Sequence, residues 1–396
     1  MQINITYDQS QSSLPAGFVT AINYVVALYD AMFTNNVTVN IDVGYGEVNG
    51  QSLGGDPGLS SNTPFAPSYS SVRNALIAEN APGANTLPTN PPVGAPPTLG
   101  TTQAEAKALG LIGNDGSIDG YVGFSNAANE FSYSINGVPP AGEIYFVGVV
   151  EHEFSHVMGR VSLLNFNNAY SVLDLFRYSG ANARQFTANA PAYFSINSGA
   201  INLNNFQTGV DRVAVSGVVT SLSLADITEM EALGWQATVV GGGQTVTVSS
   251  GHTSTGVVVL SGGSLVVASG GTAIDTILNQ NGTLNLPSGG TVSNTVFNGG
   301  VMYVSSGVVL TGALGGSGQT GQVYIEPGAT ASGLQVTGGP YLVVYGTEMS
   351  TTVISGGQAV YDGGVASGTV LSGHGGGQDV ASDGTAIGTV LNSGAD

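Results

Sequence analysis

The chain has 396 residues, with 25 acidic side chains against 6 basic ones, 4 histidines and no cysteine. The scarcity of cations excludes docking on phosphate backbones or anionic headgroups, which needs clustered Lys and Arg, so no nucleic-acid partner is expected. Without cysteine there is no disulfide framework, thiol nucleophile or thiolate metal site, and a bound metal must rest on His, Asp, Glu or Tyr.

The opening segment, MQINITYDQS, has neither a basic n-region nor an apolar h-region, so no N-terminal signal peptide is expected in it. No run approaches the ~18 consecutive apolar residues of a membrane span. Ile3, Ile5 and Tyr7 alternate with period two and predict a strand. Phe18, Ile22, Val25, Tyr29 and Met32 step by three and four, predicting a helix that starts after Ser13 and Pro15. A second strand is expected over 37–43. The stretch 82–97 holds six prolines and forms neither helix nor central strand. A short helix over 102–109 and a strand over 120–124 follow.

Residues 146–160 read FVGVVEHEFSHVMGR. On a helix His152 and His156, four apart, stand one above the other and can bite one cation, with Glu153 one residue round and within reach of a metal-bound water. In a chain with 4 His and 11 Glu this pattern arises by chance about once per thousand such sequences. The chemistry such residues support is that of zinc: a positive ion lowers the pKa of its water, and Glu153 is the general base when that water attacks a peptide carbonyl. The next acidic residue after the motif, Asp174, is the candidate third ligand, with Tyr170 and Tyr178 as alternatives. The competing role for Asp174 is a cap or an ion pair with Arg177.

The segment HEFSHVMG resembles the metzincin motif HExxHxxGxxH/D, in which Ser162 stands where the third ligand would be. No Met lies between Met158 and Met230, where a metzincin would place its Met turn. The stretches VGVVEHEFSHVMGR, LDLFRYS, AYFSINSG and LADITEMEALGW are similar to bacterial secreted HExxH-type metalloproteases, many of which carry Glu at the position of His156. That resemblance spans most of 1–238. It implies an α+β zincin-like domain, a zinc cofactor and a protein or peptide substrate.

Composition changes near residue 239: of 61 glycines, 37 fall in the last 158 residues, which hold seven acids and no bases. From Gly243 a unit of alternating apolar residues with Ser-Gly or Gly-Gly corners recurs about eight times at intervals of 18 to 21 residues. Stretches of three to five residues cannot be helices, and one unit buries almost nothing alone. Stacking repeats in register gives a continuous core, so 239–396 is expected to be an all-β solenoid (β-helix) of about eight ~20-residue repeats. These repeats look like the AIDA-type repeats of bacterial autotransporters and surface adhesins, implying a secreted or cell-surface bacterial protein. They lack the GGxGxD spacing of calcium-binding repeats. Self-association through solenoid ends is an expected partner mode.

Two functions remain open on these grounds. One is a secreted zinc endopeptidase tethered by the solenoid, with His152, His156 and Asp174 as ligands and Glu153 as base. The other is a non-catalytic surface adhesin or matrix protein with a degenerate zincin domain.

Overall fold

The computed structural model describes residues 1–92, 97–134, 139–164, 169–206, 216, 222, 224–241, 243–274, 276–316, 321–337, 340–354, 356–372 and 377–392. The chain divides into two compact units, one comprising Met1–Ser134 and Pro139–Ala237, the other reaching onward from Thr238.

The first unit is a mixed α/β fold. Its elements are β1 Gln2–Tyr7, α1 Phe18–Met32, β2 Thr38–Tyr45, β3 Gly58–Asn62, β4 Pro64–Phe65, α2 Tyr69–Ala78, β5 Thr101–Thr102, α3 Gln103–Ala108, β6 Gly120–Phe124, α4 Phe146–Val157 and α5 Leu224–Ala232, with shorter strands between. The main sheet runs β1-β2-β6-β3. Its first three strands are parallel, and β3 closes the edge antiparallel to β6. The expected apolar stripe of α1 is buried along its length, from Phe18 through Ile22, Val25 and Tyr29 to Met32.

Local chemistry sets the helix ends. Thr102 caps α3 by accepting the Glu105 amide at 3.1 Å, the first half of a Thr-x-x-Glu box. Ser68 does the same for α2 through Ser71 at 3.1 Å. Helix α4 stops at Gly159, whose φ of +105° is costly for any other residue, and a Cβ there would meet the Glu105 carboxyl at 2.8 Å.

Helix α4 is held by apolar burial on most of its surface, with Phe146, Val147, Val150, Phe154 and Val157 all enclosed. Each such side chain contributes roughly 1.5–3 kcal/mol. Phe146 packs edge-on against Phe124 of β6 at 4.9 Å and lies 5.0 Å from Phe18 of α1. The only Trp, Trp235, donates its indole N–H to the Met158 carbonyl at 2.8 Å and so ties the segment after α5 to the end of α4.

The second unit is a β-solenoid of about seven turns, close to the eight repeats expected: eight strands stacked in parallel in one sheet make seven steps from coil to coil. Eight four-residue strands, from Thr245–Val248 to Gly377–Val380, make the longest-stranded face. Register is kept by apolar side chains stacked one coil to the next: Val246 on Leu265, Leu265 on Leu284, Leu284 on Met302, Met302 on Val323. Corners carry residues with positive φ. Gly270, at φ +74°, is one case where any Cβ would also lie 2.5 Å from Ser250 Oγ of the preceding coil.

The core is not apolar throughout. Toward the later coils the inward positions become Glu348, Gln358 and Thr369, all 0% exposed. Glu348 accepts from the Thr351 amide at 2.8 Å, Thr369 Oγ1 at 2.6 Å and Gln358 Nε2 at 3.3 Å. Gln378 in turn donates to Gln358 Oε1 at 2.5 Å. A buried carboxylate is tolerable there because each of its oxygens has donors. The alternation rule finds these positions as inward-facing but does not foresee that they are polar. Of the two solenoid histidines, His252 is exposed in a turn, and His374 lies outside the described residues.

Candidate active-site cleft

A cleft of about 720 Å³ opens beside α4, with His152, Glu153, His156 and Arg160 in its wall and Gly58, Leu59 and Ser60 of the edge strand β3 opposite. Strand and helix come this close because residue 58 is glycine. A Cβ there would lie 2.7 Å from Val149 Cγ1 and 3.1 Å from Glu153.

The expected i, i+4 pairing is present. His152 and His156 Nε2 atoms face each other at 2.8 Å, with the rings nearly perpendicular at 83°. The His156 Nδ1–H donates to the Arg160 carbonyl at 2.7 Å. Burial, followed by the neighbouring His152 and Arg160, holds the His156 pKa well below its usual 6.5 and so favours the neutral ring. Glu153 is buried in the same wall.

Arg160 is the residue around which this site is built. It is 2% exposed. Its Nη1 pairs with Asp226 at 3.0 Å and Glu229 at 3.2 Å, both on α5. Its Nε donates to Ser155 Oγ at 2.9 Å, and Ser155 Oγ donates to the His152 carbonyl at 2.6 Å. Its Nη2 donates to His152 Nδ1 at 3.3 Å. Glu229 also accepts from Asn204 at 2.9 Å. Burial is the largest influence on Glu229 and lifts its pKa to about 7, against the opposing pull of Arg160. This charge network was not foreseen from the sequence. Its only signal is that Asp226 and Glu229 sit three apart on the closing helix and Arg160 follows the motif directly.

Asp174, the expected third ligand, is engaged in hydrogen bonds of its own. It is 0% exposed in the 3-10 turn Leu173–Phe176. Its Oδ1 accepts from Ser162 Oγ at 2.7 Å, and its Oδ2 from Leu163 N at 3.0 Å, Ser171 N at 2.9 Å and Ser171 Oγ at 3.0 Å. With both oxygens committed, the carboxylate ties together the loop that follows α4. Ser162, which stands where the metzincin motif would put its third ligand, is therefore bonded to Asp174, the candidate chosen for that role. Arg177, the other expected partner, donates to the Ala190 carbonyl at 3.1 Å and lies over the Phe206 ring at 4.7 Å. Among the described residues no group of three or more His, Cys, Asp or Glu side chains is placed to hold a metal.

The fit of this site to zinc is therefore partial. His156 has the arrangement usual for a ligand, with Nδ1–H on a carbonyl and Nε2 free of its proton. His152 has the reverse, because the group facing its Nδ1 is a guanidinium, which can only donate.

Residues 240–300 match the family described as adhesin of bacterial autotransporter system, probable stalk. The match lies wholly within the solenoid. A solved structure, that of the TibC-catalyzed hyper-glycosylated TibA55-350 fragment, is 34% identical over 40% of this chain and 66% of its own, with a TM-score of 0.31. The chain thus spans just under two thirds of that fragment. No curated protein matches. The stalk-type solenoid makes this a bacterial cell-surface or secreted protein. No helix among the described residues is long and apolar enough to cross a membrane.

Proposed function

We propose that the chain is a bacterial surface adhesin in which the β-solenoid is the stalk and the N-terminal α/β unit is carried on it. The observation that carries this reading is the stalk-family match at 240–300, falling on coils whose side chains stack in strict register. A solenoid suits that role because each coil supports only its neighbours, so length is gained coil by coil without a larger core. Attachment to surfaces, and self-association along solenoid strands, belong to the same reading. The test compares bacteria displaying the full chain with the same strain lacking it. Displaying cells should adhere more to abiotic or epithelial surfaces or aggregate with one another, and no gain in any of these assays refutes the adhesin reading.

One observation favours a second reading, that of a zincin-like endopeptidase: the cleft collects His152, Glu153 and His156 in one wall. Zinc would be the implied cofactor and a peptide the substrate, with Glu153 as general base. His152 does not fit that role in its present contact with Arg160, whose guanidinium can only donate to Nδ1. Casein cleavage by the full chain that disappears in Glu153→Ala would support this reading. Equal or absent cleavage in both forms would remove it.

A further inference from the structure

We propose that Arg160 is a positioning residue that keeps the His152–His156 pair bridged by a proton and closed to metal. The argument is one of donors and acceptors. A guanidinium has five N–H donors and no acceptor, so the 3.3 Å contact of Arg160 Nη2 with His152 Nδ1 requires a bare lone pair on that nitrogen. The proton of neutral His152 then sits on Nε2. A carbonyl can only accept, so the 2.7 Å contact of His156 Nδ1 with the Arg160 carbonyl requires the proton of neutral His156 on Nδ1. Its Nε2 is bare.

Arg160 thus sets both rings, one through its side chain and the other through its backbone, in opposite tautomers. The product is an N–H···N bond from His152 Nε2 to His156 Nε2, and the observed 2.8 Å is a length suited to it. Two imidazoles on a tetrahedral ion with bonds of about 2.0–2.1 Å would stand about 3.3 Å apart. To ligate, His152 would have to move its proton to Nδ1 and point it at the guanidinium.

The guanidinium is not free to step aside. Asp226 at 3.0 Å, Glu229 at 3.2 Å and Ser155 at 2.9 Å hold its other nitrogens in a 2% exposed pocket. A structural salt bridge alone would need none of the directional contact to His152. The arrangement instead gives the motif a built-in antagonist of the ion that its spacing invites.

The first measurement uses the unaltered full chain. It has four histidines, so ¹⁵N-histidine labelling gives a sparse long-range ¹H–¹⁵N spectrum, and His252→Gln and His374→Gln remove the solenoid signals. The expected result is one ring protonated at Nε2 and the other at Nδ1. Both rings protonated at Nδ1, the arrangement of a metal-ready pair, would overturn the proposal.

The second measurement titrates zinc alone, by calorimetry, into the full chain and into Arg160→Gln, whose side-chain carbonyl can accept from His152 Nδ1–H. Affinity should tighten at least tenfold in the variant. Unchanged affinity in a folded variant would overturn the proposal, as would tight one-to-one binding by the unaltered chain. If Arg160→Gln does not fold, the combination with Asp226→Asn and Glu229→Gln removes the stranded carboxylates, and the tautomer spectrum stands independently. Opposite tautomers with no gain in adherence by displaying cells would leave this inference standing while the adhesin reading fails, whereas zinc-dependent casein cleavage lost in Glu153→Ala would overturn the inference itself.

Discussion

Replacing Asp174 by Ala separates a structural carboxylate from a metal ligand. The side chain is fully enclosed and accepts four hydrogen bonds, two of them from the backbone amides of Leu163 and Ser171. Hydroxyls of Ser162 and Ser171 can turn to other acceptors, but the two amides cannot. Each buried donor left without a partner costs about 1–3 kcal/mol, so the loss should be about 3–5 kcal/mol. For a unit of this size that lowers Tm by about 10 °C. Trp235, the only Trp and 1% exposed, reports this unit alone by fluorescence during thermal or urea unfolding. Asp174→Asn keeps a carbonyl oxygen for the three Oδ2 donors and should lose roughly half as much. Zinc affinity should be the same in all three proteins. A variant that folds with unchanged Tm yet loses zinc binding would refute the structural assignment and return Asp174 to the metal.

Glu231 has its pKa lifted by burial from 4.5 to about 7. Because the folded state favours the protonated form, the stability it contributes is complete below about pH 4.5 and disappears as pH rises through about 7. At about 1.4 kcal/mol per pKa unit, reduced for its partial exposure, Glu231→Gln should gain about 1–2 kcal/mol at pH 8 and nothing at pH 4. Parallel stability curves for the two proteins in urea would contradict this. Leu284, 0% exposed between Leu265 and Met302, should cost about 2–5 kcal/mol as Leu284→Ala. Coils stabilise only their neighbours, so hydrogen exchange should quicken at the Leu265 and Met302 strands and little at Val344. Uniform quickening along the solenoid would mean that the unit opens as a whole.

Much of this architecture is written locally in the chain. The stack of Leu265, Leu284 and Met302 follows from a period near 20 with alternation inside each unit, and the juxtaposition of His152 and His156 follows from four-residue spacing. What the sequence conceals is long-range. Asp174 is the next acid along the chain after the motif, yet its carboxylate turns inward because Ser162, Leu163 and Ser171 wrap it with donors. Arg160 meets Asp226 and Glu229 across more than sixty residues, and no periodicity records that closure. Glu348 in the solenoid illustrates the same limit: its inward position is legible, whereas its partners Gln358 and Thr369 come from later coils.

The proposed adhesin role, with the solenoid as stalk, requires no chemistry at the cleft. It is tested most directly by the adherence of cells displaying the full chain, cells displaying Glu153→Ala, and cells lacking the chain. Equal adherence in the first two, above the third, is the predicted result. Adherence lost in Glu153→Ala would contradict the claim and place function in the cleft.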